Sequence, residues 1–159
     1  VFLELKKKYR GIVYKRRITL PEDAAGEFIA GRAPLGEHGQ IGREIEYFTS
    51  IYAPLRPAVH LSYERSAWFS REDRDLRITF DRSIRFRRED VLLTLLAAGR
   101  RILPEGESLM EIKATAALPL WLVAELGALG IYQRTFSKYG EAYKTILADT
   151  RETFGGKTA

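Results

Sequence analysis

Six basic residues stand in the middle of stretches in which apolar and polar residues alternate, which is the pattern of half-buried β-strands. They are Lys6, Lys15, Arg17, Arg65, Arg77 and Lys113. Like charges on neighbouring strands repel each other, so such a set requires a bound anion or interleaved carboxylates. The same stretches contain Glu4, Asp81 and Glu111. The pattern indicates either a basic barrel lumen that holds an anion or a flat basic face that would serve a nucleic acid.

Antiparallel strands and helices are predicted to position these residues. Alternation predicts strands at 1–9, 11–20, 57–69, 76–81, 82–90 and 107–114, with a tight hairpin turn at Gly11. Helical spacing of apolar residues predicts helices at 21–30, 40–51, 118–130 and 137–148. In the third of these helices, Trp121 and Leu122 are assigned to the core. The predicted fold class is α+β.

Composition bounds the kind of protein. The 159 residues are 45% hydrophobic and 30% charged, which is typical of a globular domain. The net charge of +5 fits a polyanionic partner and surface charge that keeps the protein in solution equally well. Cysteine is absent, which excludes disulfides and thiolate metal sites and suits a cytoplasmic location. His38 and His60 lack a spaced partner for a zinc site and are given no role.

Four motifs in order carry a resemblance to a known family. They are "ELKKKYRGIVYKRR", "SYERSAWF…LRITFD", "MEIKA…LPLWL" and "FSKYGEAY", which together cover residues 1 to about 143. The chain resembles the VTC domain, the bacterial polyphosphate polymerase domain of the triphosphate tunnel metalloenzyme, or CYTH-like, superfamily. The resemblance implies an antiparallel β-barrel that forms a tunnel, or the C-terminal part of such a barrel, with flanking helices.

The resemblance also implies roles for particular residues. Four strand cations match the catalytic cations of the tunnel: Lys6, Lys15, Arg65 and Arg77. The substrate-binding set adds Arg17, Lys113, Ser137 and Lys138. Glu111 in "MEIK" matches the metal-binding glutamate, and the metal would be Mn²⁺ or Mg²⁺. We expect the four catalytic cations to converge on one concave surface.

The function implied by the resemblance is transfer of the γ-phosphoryl group of ATP onto a growing polyphosphate chain. The expected partners are ATP and polyphosphate, and no nucleic acid. The resemblance leaves room for membrane-associated or other partner domains elsewhere in a full-length protein, and the oligomeric state stays open.

Two departures from the family pattern qualify this reading. The polymerase motif carries a further Lys two positions before its Ser, where this chain has Thr135. The family's tunnel also begins with strands that bear a Lys and an "RxR" pair, which should precede Val1. We therefore expect residues 1–150 to be a tunnel domain lacking its N-terminal strands and 151–159 to be a frayed tail. Such a chain is expected to bind triphosphate weakly and to synthesise no polymer alone.

Other readings stay open at this stage. The polar strand faces could simply be solvated, with Arg65 and Arg77 paired to Glu64, Asp75 or Asp81. Within the tunnel superfamily, a triphosphatase or an adenylate cyclase is the alternative to a polymerase. A non-catalytic module that binds polyphosphate or another polyanion is the third class.

Overall fold

The computed structural model describes residues 1–95 and 98–155. The chain divides into two units, Val1–Pro57 and Ala58–Ala159, and each has its own antiparallel sheet.

The first unit is a β-hairpin backed by two helices. Strand β1 (Phe2–Tyr9) pairs with β2 (Ile12–Thr19), and helices α1 (Glu22–Ile29) and α2 (Gly39–Ile51) follow. The two-residue turn has positive φ at Arg10 (48°) and Gly11 (82°), as the tight hairpin turn predicted at this place requires. Alternation directs one face of the hairpin inward. The core beneath it contains Leu5, Leu20, Ala25, Leu35 and Ile45.

The second unit is built around one long central strand. Its strands are β3 (His60–Phe69), β4 (Arg77–Arg87), β5 (Arg100–Arg101) and β6 (Leu109–Lys113), and its helices are α3 (Leu120–Ala128) and α4 (Lys138–Gly155). Strand β4 pairs with β3 on one side and with β5 and β6 on the other. The centre of the sheet is therefore β4, which carries "RITFD".

The two strands predicted at 76–81 and 82–90 are a single strand, so that prediction was wrong. Ser83 has a φ of 51°, and the pairing with β3 shifts by one residue opposite Tyr63. An extra residue in one strand bends a ladder without ending it.

The α+β class with antiparallel sheets is confirmed, whereas the barrel is not. Across residues 1–95 and 98–155, the strands form one two-stranded and one four-stranded sheet, and neither sheet closes on itself.

The apolar C-terminal region differs from its prediction in two places. Leu122 is buried, at 5% exposure, but Trp121 is 60% exposed and does not belong to the core. Neighbouring residues on a helix point about 100° apart, so α3 buries one of the pair and exposes the other. Helix α4 continues to Gly155, beyond the predicted end at 148. No helix in the described part of the chain is long and apolar enough to cross a membrane.

Candidate functional site

Asp81 is the centre of a group of charged side chains on one face of the second unit's sheet. It lies on β4, directly opposite Arg65 of β3. The guanidinium of Arg65 donates to both carboxylate oxygens, from Nε to Oδ1 at 2.6 Å and from Nη2 to Oδ2 at 2.8 Å. The ammonium of Lys138, the first residue of α4, lies 2.6 Å from the same Oδ2. One carboxylate therefore joins β3, β4 and α4.

Burial makes this arrangement unusual for a set of charges. The side chain of Asp81 is 1% exposed, and that of Lys138 is 18% exposed. Burial alone would raise the pKa of Asp81, but the hydrogen bonds from Arg65 and Lys138 outweigh it and hold the pKa below its ordinary value. The same hydrogen bond with Asp81 raises the pKa of Arg65. Asp81 and Arg65 are therefore both charged near neutral pH.

Glu111 extends the group toward β6. The register places it opposite Thr79, so it shares the face of Asp81. Its carboxylate pairs with Lys113 at 3.0 Å and lies 3.9 Å from Nη2 of Arg65. The hydrogen bond from Lys113, together with the nearby positive charges, lowers the pKa of Glu111. The name sheet cluster is used below for six residues of this face: Asp81, Glu111, Arg65, Arg77, Lys113 and Lys138.

On this sheet face, Arg77 and Thr79 each have a buried polar atom without a hydrogen-bond partner among the described residues. They alternate with Asp81 along β4, and Arg77 stands opposite Lys113 of β6. The Nε of Arg77 and the Oγ1 of Thr79 are buried without a hydrogen-bond partner among the described residues. Arg77 also lies over the ring of Phe69, at 5.0 Å from its centroid. Buried polar atoms are nearly always satisfied, so this face has donor capacity to offer a ligand.

Ser137 has a structural role next to this cluster. Its Oγ accepts a hydrogen bond from the backbone N–H of Gly140 at 3.1 Å, which caps the N-terminus of α4. The cap fixes where the helix begins, and the position of Lys138 depends on that start. The hydroxyl hydrogen of Ser137 is not used by this contact.

A second group of charges lies on the outer face of the hairpin in the first unit. Glu4 pairs with Lys15 at 2.6 Å, with Arg17 at 2.5 Å and with Lys6 at 3.7 Å. The register places Glu4 opposite Arg17 and Lys6 opposite Lys15. The hydrogen bond from Lys15, with a further contribution from Arg17, lowers the pKa of Glu4 to about 2. These four residues are called the hairpin cluster below.

The structure thus sorts the predicted site residues into two groups. Lys6, Lys15 and Arg17 lie together in the first unit, and Arg65, Arg77, Glu111, Lys113, Ser137 and Lys138 belong to the second. Their roles in binding and catalysis, and the convergence of all four catalytic cations, stay predictions. The remaining basic residues of the hairpin are exposed: Lys7, Lys8, Arg10 and Arg16.

Asp81 is the residue that the sequence-based site prediction missed. It was considered only as a neutralising carboxylate or as an alternative partner of Arg65, and the latter interpretation is confirmed. The signal for its place was present, because the alternation of "RITFD" puts Asp81 on the face of Arg77. Its pairing with Lys138 could not be found this way, because it depends on where α4 packs.

The carboxylates of the sheet cluster fit a metal ion only if phosphate oxygens supply further ligands. Within residues 1–95 and 98–155, no three His, Cys, Asp or Glu side chains are grouped so that they could hold a metal. Asp81 is enclosed by its two cations, whereas the side chain of Glu111 is 42% exposed. Mg²⁺ is commonly bound by one or two carboxylates together with substrate phosphates and water. Glu111 therefore suits a metal that phosphate oxygens help to bind.

Comparison with known proteins gives a family. No curated protein matches the chain at a significant level. A family model described as the VTC domain matches residues 1–147, which is nearly the whole chain. The chain therefore belongs to the VTC domain family, which connects it with polyphosphate.

Proposed function

We propose that this protein is the catalytic domain of a polyphosphate polymerase, which transfers the γ-phosphoryl group of ATP onto the end of a polyphosphate chain and releases ADP. The observation that carries the proposal is the sheet cluster. It places four cations on one sheet face against only two carboxylates. Two positive charges are left in excess, beside the unpartnered buried donor of Arg77. A phosphate chain supplies the missing negative charge and hydrogen-bond acceptors.

Phosphoryl transfer asks the protein mainly for positioning and for neutralisation of charge. The bond from the γ-phosphorus to the β,γ-bridging oxygen breaks, and a bond to a terminal oxygen of the polyphosphate chain forms. No side-chain nucleophile is needed, because the attacking oxygen belongs to phosphate. Arg65 and Arg77 present guanidinium groups, which suit two-point contact with phosphate oxygens. Lys113 and Lys138 add compact charges that follow the chain.

The hairpin cluster would supply a second anion-binding surface. Glu4 neutralises one of the three charges of Lys6, Lys15 and Arg17. The three cations are exposed, so a phosphate chain could compete with Glu4 for them at small cost.

Glu111 is the residue that would hold Mn²⁺ or Mg²⁺ in this proposal. When bound, the ion would neutralise charge on the phosphate oxygens as a Lewis acid. Lys113 must share the Glu111 carboxylate, since it lies 3.0 Å from Oε1. The Oε2 atom, 3.9 Å from Arg65, is the less occupied ligand atom.

The test is incubation of the full-length protein with ATP and Mn²⁺, with the products separated by size. Polymer that a polyphosphatase degrades would support the proposal. Release of orthophosphate alone would indicate a triphosphatase, and polyphosphate binding without turnover would indicate a binding module; either result would overturn the polymerase proposal.

A matched pair of variants connects the activity to the sheet cluster. Arg77→Gln should lower the rate of synthesis by about 100-fold, since misplaced phosphates cost rates of that order. Arg71 is an exposed arginine outside the cluster, so Arg71→Gln makes the same change of charge and should leave the rate unchanged. Equal rates of synthesis in the two variants would show that the sheet cluster does not carry the polymerase activity.

A further inference from the structure

We propose that Asp81 is a positioning residue of the phosphate-binding face, whose carboxylate holds the guanidinium of Arg65 and the ammonium of Lys138 side by side so that both can bind one phosphate chain. The inference rests on the proposed function for the chemistry of the anion. It does not depend on whether the bound chain is then extended.

The shared oxygen is the main support. Arg65 and Lys138 both contact Oδ2 of Asp81, at 2.8 Å and 2.6 Å. The two nitrogen atoms therefore cannot lie farther apart than these two distances combined. Arg65 is on β3 and Lys138 is on α4, so no local sequence constraint brings them together.

An aromatic ring reinforces the same placement. The Nζ of Lys138 lies 4.7 Å from the centroid of the Tyr63 ring, and the Cζ of Arg65 lies 5.1 Å from it. Cations are attracted to an aromatic ring at such distances. Asp81 and Tyr63 therefore hold the same two cations.

Donors remain after these contacts are made. A guanidinium has five N–H donors and an ammonium has three. Arg65 uses two atoms on Asp81, and its Nη1 makes no hydrogen bond within the described residues. Lys138 has further N–H groups beyond the one aimed at Oδ2. The pair held by Asp81 can thus bind phosphate without releasing the carboxylate.

Positioning and simple charge neutralisation predict opposite results when the charge of Asp81 is removed. A carboxylate beside an anion site repels the anion, so a neutral group there should strengthen binding if charge alone mattered. If Asp81 positions the two cations, its loss should weaken binding even though the site becomes more positive.

The experiment is calorimetric titration of the chain with inorganic tripolyphosphate, using the wild type, Asp81→Asn and Glu64→Gln. Glu64→Gln removes one negative charge, as Asp81→Asn does. Glu64 is the control because it is an exposed residue of β3 next to Arg65 but on the opposite sheet face. Asp81→Asn should weaken binding by about tenfold or more, and Glu64→Gln should leave it equal or slightly tighter. Equal or tighter binding by Asp81→Asn would overturn the proposal.

A second background separates positioning from folding. In a Lys138→Ala, Arg65→Gln protein, Asp81 has nothing to position, and adding Asp81→Asn should cause no further loss of affinity. A loss that persists in this background would overturn the proposal. Circular dichroism must show that each variant is folded at the temperature of titration.

A longer carboxylate provides the alternative if Asp81→Asn does not fold. Asp81→Glu keeps the charge and displaces both cations, so it should also weaken tripolyphosphate binding. Unchanged affinity in Asp81→Glu would overturn the positioning role. Failure of both Asp81→Asn and Asp81→Glu to fold would overturn it as well. A wild-type chain that does not bind tripolyphosphate would overturn it too. A full-length protein that binds but makes no polymer would overturn only the polymerase proposal.

Discussion

The hairpin cluster and the sheet cluster are built from the same groups but differ in burial. In each, lysine and arginine side chains from neighbouring strands surround fewer carboxylates. The Glu4 side chain of the hairpin cluster is 22% exposed, whereas that of Asp81 in the sheet cluster is 1% exposed. Exposed ion pairs contribute little to stability, whereas breaking a buried pair leaves an uncompensated charge. The hairpin cluster can therefore exchange partners readily, while the part of the sheet cluster that is built on Asp81 has a fixed geometry before any ligand arrives.

This difference in burial indicates which cluster should bind phosphate through fixed geometry and which through charge alone. A set of exposed cations attracts an anion without defining how it lies. A set locked by a buried carboxylate presents its donors in one arrangement, which phosphoryl transfer requires. We therefore expect substitutions in the sheet cluster to affect chemistry and folding, and those in the hairpin cluster to affect mainly affinity.

The largest expected contrast is in activity, between Glu111→Gln and Glu4→Gln. Both changes keep the side-chain volume and remove one carboxylate charge. Glu111→Gln should abolish metal-dependent polymer synthesis while the fold is retained, because a neutral amide is a much weaker ligand for Mn²⁺. Glu4→Gln should keep most of the activity. Polymer yield at saturating Mn²⁺ is the measurement, and wild-type yield from Glu111→Gln would remove Glu111 from the site.

The second contrast is in stability, between Asp81→Asn and Glu4→Gln. Removing the Asp81 charge takes from Lys138 its paired carboxylate and leaves Arg65 only the more distant Glu111 at 3.9 Å, which should lower the free energy of unfolding by about 2–4 kcal/mol. Removing the Glu4 charge should cost less than this, because its three cations are exposed to solvent. Urea unfolding of the two variants measures the difference. Equal losses would mean that burial does not distinguish the clusters.

Sequence reasoning predicted the composition of both clusters better than their geometry. Alternation placed Arg77 with Asp81, because side-chain direction in a strand has a period of two residues. It could not place Lys138 on Asp81 or leave Trp121 exposed, since both depend on how a helix packs in three dimensions. The strands predicted at 76–81 and 82–90 are one strand, because the irregular residue at Ser83 shifts the pairing without ending it. The sequence thus predicts which residues share a face, while tertiary packing decides which of them touch.

The third expected effect is on titration of the hairpin cluster. The pKa of Glu4 lies at about 2, below its ordinary value of 4.5. Its contribution to stability is therefore fully present above pH 4.5 and is lost as the pH falls toward 2. NMR titration of the Glu4 carboxyl measures this directly. Lys15→Met should raise the pKa toward 4.5, and Lys6→Met should raise it less, because Lys6 lies 3.7 Å from the carboxylate rather than 2.6 Å.

The smallest expected effect on stability lies within the sheet cluster itself, at Arg77. Among the described residues its buried Nε has no hydrogen-bond partner, whereas Arg65 is bound to Asp81 through two hydrogen bonds. Arg77→Gln removes a contact with Phe69 but also relieves an unsatisfied buried donor. The free energy of unfolding should then change by no more than about 0.5 kcal/mol.

Arg65→Gln is the matched comparison for Arg77→Gln, and it should cost about 2 kcal/mol or more because it leaves Asp81 buried with Lys138 alone. Both variants should bind tripolyphosphate less tightly than the wild type, since each lacks a guanidinium that faces the anion. Parallel urea unfolding and calorimetric titration therefore give two independent readings for each arginine. A large loss of stability in Arg77→Gln would show that this arginine serves the fold, because a cation held ready for a ligand should contribute little until the ligand binds.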